Sequence, residues 1–92
     1  MGREQAGFRP ALVLSHAAYN RKARLMLACP ITNQQKGYPF EVVLPLGMRT
    51  TGCILADHLK FLDWHEWGVK FPEEAPSAVV SEVLARIKPL IF

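Results

Sequence analysis

The sequence predicts a mainly β domain, a curled, barrel-like sheet of about five short antiparallel strands capped by a C-terminal amphipathic helix. Three observations lead there. Short apolar runs recur between turn-forming residues over most of the chain, one of them with a two-residue period, and near the C-terminus the period changes to three and four residues. With 92 residues, 50% of them in the hydrophobic class, there is material for one core and one domain, 1–92, and no room for a second.

Ala11-Leu12-Val13-Leu14 and Leu25-Met26-Leu27-Ala28 read as the first two strands, and Tyr19-Asn20-Arg21-Lys22 between them reads as a hairpin turn or longer loop. After the turn signal Gly37-Tyr38-Pro39, residues Phe40, Val42 and Leu44 alternate with Glu41 and Val43, which predicts a half-buried third strand. Pro45 and Gly47 mark the next turn, Thr51 to Ala56 predicts a fourth strand, and Leu59 to Leu62 a fifth. Val79, Val80, Val83, Leu84 and Ile87 then fall on one helical face, with Ser81, Glu82, Arg86 and Lys88 largely elsewhere. Pro76 suits the first turn of this helix, Arg86 and Lys88 suit the negative end of its dipole, and Pro89 is expected to stop it.

No apolar stretch approaches the ~20 residues that span a bilayer, and the opening MGREQAGFRP lacks the apolar centre of a signal peptide, so a cytoplasmic location without membrane attachment is expected. Cys29 and Cys53 each sit in a run that reads as a buried strand (LMLACP, TGCILA), and in a reducing compartment both are expected as buried free thiols. The net charge of +3 is unevenly placed: residues 1–50 carry seven Lys/Arg against two Glu, residues 51–92 four against six Asp/Glu. A basic front half fits a surface that meets an anion, although Arg21, Lys22 and Arg24 equally fit a solvated loop tip.

Four places could carry chemistry. Glu4-Gln5-Ala6-Gly7-Phe8-Arg9-Pro10 sets a carboxylate, a glycine and a guanidinium just before the first strand; Cys29-Pro30-Ile31-Thr32-Asn33-Gln34 ends a strand in hydroxyl and amide side chains. Gln35-Lys36-Gly37-Tyr38-Pro39-Phe40 joins a cation to aromatics, a combination suited to single-stranded nucleic acid, and Ala56-Asp57-His58-Leu59-Lys60 places charges between two apolar runs. None has the spacing of a zinc site, a phosphate-cradling loop or a serine triad, so no metal and no cofactor are expected. Taken singly, each reads equally as an ordinary loop.

In order and spacing the four segments resemble the MazF/PemK toxin family. EQAGFRPALVLS resembles that family's arginine-bearing signature, CPIT its threonine-bearing strand end, and KGYPFEVVLP and GCILADHLKFLDW its following strands. The resemblance runs from Gly2 to the C-terminal helix. It implies an SH3-like barrel, a homodimer, sequence-specific and metal-independent cleavage of single-stranded RNA, and inhibition by a disordered acidic antitoxin of the MazE type. The implied chemistry is attack of a 2′-hydroxyl on the adjacent phosphate, giving a cyclic phosphate and a 5′-hydroxyl. Such a step needs a proton acceptor, a proton donor and positive hydrogen-bond donors around the phosphorane.

Arg9 suits the last role, because a guanidinium presents a planar fork of N–H donors and is a poor base. Thr32 can donate its hydroxyl to a phosphate oxygen, and Glu4 is the candidate for acid–base work or for orienting Arg9. Asn20, Arg21, Lys22, Asn33 and Lys36 are the candidate RNA contacts. Trp64 and Trp67 either receive the antitoxin or pack under the loop before the helix. His16, His58 and His65 match none of the implied catalytic positions and read as structural or surface residues. The alternative function is a non-catalytic barrel that binds nucleic acid or an antitoxin-like peptide. Members of the family usually open with a strand of the type GDI-V-V-DFDP, whereas this sequence opens at Met1-Gly2-Arg3-Glu4. The expectation is therefore a barrel lacking that strand, with an unpaired sheet edge and reduced activity.

Overall fold

The computed structural model describes residues 10–64 and 73–92. Its elements are β1 (Ala11–Val13), α1 (Ala17–Ala23), β2 (Leu25–Thr32), β3 (Glu41–Val43), β4 (Cys53–Leu55), a 3-10 turn (Ala56–His58), β5 (Lys60–Asp63) and α2 (Ser77–Ile91). Five short antiparallel strands with a C-terminal helix are what the apolar runs predict. β2 is the hub of the sheet. Ala28 lies opposite both Val13 of β1 and Lys60 of β5, so those strands occupy its two edges. Further along, Ile31 and Thr32 pair with Ile54 and Cys53 of β4, and β4 pairs in turn with β3. A strand that passes from one partner to the next along one edge accumulates twist and curls the sheet.

Register explains why the first two strands are continuously apolar. Leu12 faces Cys29 across the β1–β2 pair, and both belong to the main core with Val42, Leu44, Ile54, Ala56 and the α2 residues Val79, Val83 and Ile87. The next positions along the strands, Val13 and Ala28, point the other way, into a second cluster built on Met26, Ala28 and Leu62. Both faces are covered, so neither needs polar residues. Ile31, Ile54 and Val42 form one row across three strands beneath α2. Ile54 and Val83 are fully buried, each contributing about 1.5–3 kcal/mol of apolar transfer. Cys29 and Cys53 are buried free thiols, as expected.

Three expectations are corrected. Tyr19–Lys22 is not a hairpin turn but lies within α1, a helix that buries none of its residues. Amphipathic periodicity reports a buried face, so a helix without one leaves no such signal; here Ala17, Ala18, Arg21 and Lys22 favour the helix intrinsically. Pro89 does not stop α2, which continues to Ile91 with the Phe92 N–H donating to the Lys88 carbonyl at 2.9 Å. In a last turn the proline forfeits little beyond the one bond its absent N–H would have made. Leu84, assigned to the apolar face, is 49% exposed, and the face that is buried narrows to Val79, Val83 and Ile87. Among the described residues no helix is long and apolar enough to cross a membrane.

Candidate active site

Thr32 is the last residue of β2, half-buried and held opposite Cys53. Its Oγ1 accepts the Gln34 N–H at 3.1 Å, which leaves the hydroxyl hydrogen available to donate outward. The chain entering β4 presses against this strand end. Gly52 has φ +116°, and a Cβ there would sit 2.3 Å from the Thr32 carbonyl oxygen, so only glycine allows the approach. One residue earlier, the Thr51 hydroxyl donates to Asn33 Oδ1 at 3.1 Å. Thr32 and Asn33 are thus brought together on a rigid strand end with one backbone packed against them. Pro10, the residue after Arg9, joins them: its carbonyl accepts the Ile31 N–H at 3.1 Å.

Lys36 lies on the exposed segment between β2 and β3, and that segment is organised by Glu41. The Glu41 carboxylate accepts the Lys36 N–H at 3.1–3.2 Å and the Gly37 N–H at 3.0 Å, and Gly37 supplies the positive φ of +79° that the turn requires. From the other side, Arg86 of α2 donates to the Pro39 carbonyl and pairs with Glu82 at 2.9 Å. The Lys36 side chain therefore stands on a loop fixed to both the sheet and the helix.

Asn20, Arg21 and Lys22 are placed differently. They sit on α1, which leads into the opposite end of β2 from Thr32, about 20 Å away along a strand of that length. Arg21 and Lys22 are exposed in the last turn of the helix, where cations suit its dipole. Asn20 is occupied structurally. Its carboxamide is assigned with the nitrogen inward, where it meets only acceptors: Ser15 Oγ at 2.5 Å, the Leu25 carbonyl at 3.2 Å and the His16 carbonyl at 3.3 Å. Ser15 Oγ in turn accepts the Leu27 N–H at 2.9 Å. The Asn20 carbonyl accepts the Trp64 indole N–H at 2.7 Å and the Arg24 N–H at 3.0 Å, with Arg24 in the left-handed conformation that ends the helix. Trp64 is half-buried and packs against Met26, Ala28 and Leu62, so it docks α1 onto the sheet. Glu4, Arg9, His65 and Trp67 lie outside the described residues.

The buried thiols are unsuited to nucleophilic work. Burial, aided by the nearby Asp57 charge, pushes Cys29 up to about 11, and burial also raises Cys53. His58 lies 3.9 Å from Asp57 at the surface, in the 3-10 turn that follows β4. Sequence reasoning did not single out Glu41, Thr51, Gly52 or Glu73 as site residues. Of these only Gly52 carried a local signal, a lone glycine inside an apolar strand pattern, which marks a bulge or a close backbone approach.

Residues 1–91 match the family described as PemK-like, MazF-like toxin of type II toxin-antitoxin system. The chain is 43% identical over 90 residues to the endoribonuclease toxin MazF of Escherichia coli K12, covering 98% of this chain and 80% of that protein. It is 36% identical over 94 residues to the Escherichia coli endoribonuclease PemK, covering 98% and 71% respectively. A crystal structure of MazE–MazF from Deinococcus radiodurans superposes with a TM-score of 0.90 at 48% identity, covering 92% of this chain and 86% of that one. The chain belongs to the PemK-like, MazF-like toxin family of type II toxin–antitoxin systems.

Proposed function

We propose that this chain is a toxin endoribonuclease that cuts single-stranded RNA at specific sequences, without a metal, through attack of the 2′-hydroxyl on the neighbouring phosphate. The observation that carries this reading is the meeting of two sequence segments at one strand end. Pro10, which follows Arg9, is bonded to Ile31, which precedes Thr32. A guanidinium and a hydroxyl donor contributed from these two segments supply the charge-assisted hydrogen bonds that a phosphorane needs, and the rigidity of β2 supplies their orientation. Arg9 stabilises the developing charge, Thr32 donates to a phosphate oxygen, and Glu4 accepts a proton or orients Arg9.

Asn33 adjoins Thr32 and Lys36 follows four residues after it, and these two are the RNA contacts nearest the cut. Arg21 and Lys22, at the far end of β2, act on a more distant stretch of the strand or on encounter alone. Asn20 contributes through the shape of α1. Trp64 shapes the surface on which an acidic antitoxin of the MazE type would lie, with Trp67 a further anchor. The working form is a homodimer in the cytoplasm.

The test is direct. Purified protein is incubated with a long single-stranded RNA in excess EDTA, and the termini of the products are mapped. Discrete cuts with 5′-hydroxyl and cyclic phosphate ends support the reading. A mobility shift without cleavage refutes it in favour of a non-catalytic binding barrel.

A further inference from the structure

Two consecutive backbone N–H groups ahead of β4, those of Arg49 and Thr50, have no partner in the strand ladders. Both are taken by one carboxylate: Glu73 accepts Arg49 N–H through Oε1 at 3.0 Å and Thr50 N–H through Oε2 at 2.7 Å. Glu73 lies just before α2, 23 and 24 residues along the chain from the groups it holds. Those two bonds, with a further one from the Thr50 side chain, keep its carboxyl below the usual glutamate range, so the clamp is charged at neutral pH. The next residues carry the constraint onward. Thr51 is tied to Asn33 Oδ1, and Gly52 is packed on the Thr32 carbonyl too closely for any Cβ. Residues 49–52 therefore form a short strut with one end at Glu73 and the other on the strand end that bears Thr32 and Asn33.

We propose that Glu73 is a positioning residue for RNA cleavage, acting through Arg49–Gly52 to hold Thr32 and Asn33 in register with the scissile phosphate. This rests on the reading of Thr32 as a phosphate donor. Glu73 touches no substrate. Its effect is mechanical: with the carboxylate gone, the N–H groups of Arg49 and Thr50 turn to water, and Thr51 and Gly52 lose the restraint that seats them. Catalysis feels displacements of a fraction of an ångström, whereas RNA binding by charge tolerates them.

The experiment compares the parent with Glu73→Gln, Thr51→Val and the double variant, using single-turnover cleavage, RNA affinity measured with a 2′-deoxy analogue, and thermal melting. Glu73→Gln keeps one acceptor oxygen but turns an NH2 group toward the second N–H, so the bidentate clamp is lost at nearly constant size. The cleavage rate is expected to fall about ten- to a hundredfold, with analogue affinity within about threefold of the parent. Thr51→Val breaks the same strut at its other end, so its rate loss and that of Glu73→Gln are expected to combine less than multiplicatively. Glu74→Gln, one residue away, is expected to change nothing. An active parent with Glu73→Gln cleaving within threefold of it overturns this inference alone. So does fully multiplicative loss in the double variant, or a loss confined to affinity. If Glu73→Gln does not fold, a parent-like rate for Thr51→Val still overturns it. A parent that never cleaves RNA overturns this inference together with the function on which it rests.

Discussion

Asn20 offers a clean separation between a residue that builds the fold and one that reads RNA. The two N–H donors of its inward carboxamide are shared among three acceptors, Ser15 Oγ and the His16 and Leu25 carbonyls. Replacing it with alanine removes the equivalent of two hydrogen bonds, at a net ~0.5–1.5 kcal/mol each. Two of the acceptors keep another donor: the His16 carbonyl still receives the Asn20 backbone N–H, and Ser15 Oγ still receives Leu27 N–H. That places the sum near ~2 kcal/mol, no higher than the middle of its range. Alanine returns roughly 0.6 kcal/mol through its better helix propensity. The expected net loss is about 1.4 kcal/mol, or a fall in melting temperature of roughly 6–11 °C for a domain of this size.

Urea unfolding followed by far-ultraviolet circular dichroism measures the loss, and a 2′-deoxy RNA analogue reports binding. Asn33→Ala is the control: Asn33 is exposed and bonded only through Thr51 among the described residues, so its stability loss is expected to stay under ~1 kcal/mol. If Asn20→Ala unfolds within ~0.5 kcal/mol of the parent yet binds RNA tenfold more weakly, the hydrogen-bond network does not hold α1 and Asn20 is an RNA contact after all.

Other outcomes follow from the same geometry. Gly52→Ala forces a Cβ to 2.3 Å from the Thr32 carbonyl at φ +116°, and is expected to cost ~2 kcal/mol or more and to abolish cleavage. Gly37→Ala, with nothing within 4 Å, is expected to cost only the ~1–2 kcal/mol of a left-handed alanine; equal losses for the two would refute the close approach. Arg9→Ala is expected to abolish cleavage with the melting temperature retained, and Thr32→Ala to do so less severely. A rate for Arg9→Ala within about tenfold of the parent, under ~1.4 kcal/mol, contradicts its role. Because burial raises the Cys29 thiol from 9.0 to about 11, native protein at pH 8 is expected to resist a disulfide reagent until denatured. The folded state binds that proton more tightly than the unfolded chain, so Cys29 contributes stability below 9.0 that is lost as pH rises toward about 11; thiol titration and alkaline melting check both points.

The amino-acid sequence alone carried the fold class, the terminal helix, the buried free thiols and the resemblance to the toxin family. Each is written in local order: apolar runs that need cover, a change of period at Val79, and motifs such as GYPFEV that keep their spacing. Only the tertiary structure decided what Asn20, Trp64, Glu41, Gly52 and Glu73 touch. α1 buries no residue and so leaves no periodic trace, and its lock depends on Trp64, 44 positions away in the chain. The two carboxylate clamps are silent for a different reason. They bind backbone N–H groups, which nearly every residue possesses, so nothing in the identity of Lys36, Gly37, Arg49 or Thr50 announces that a glutamate holds them. A contact made through the common backbone becomes visible only when folding brings its two ends together.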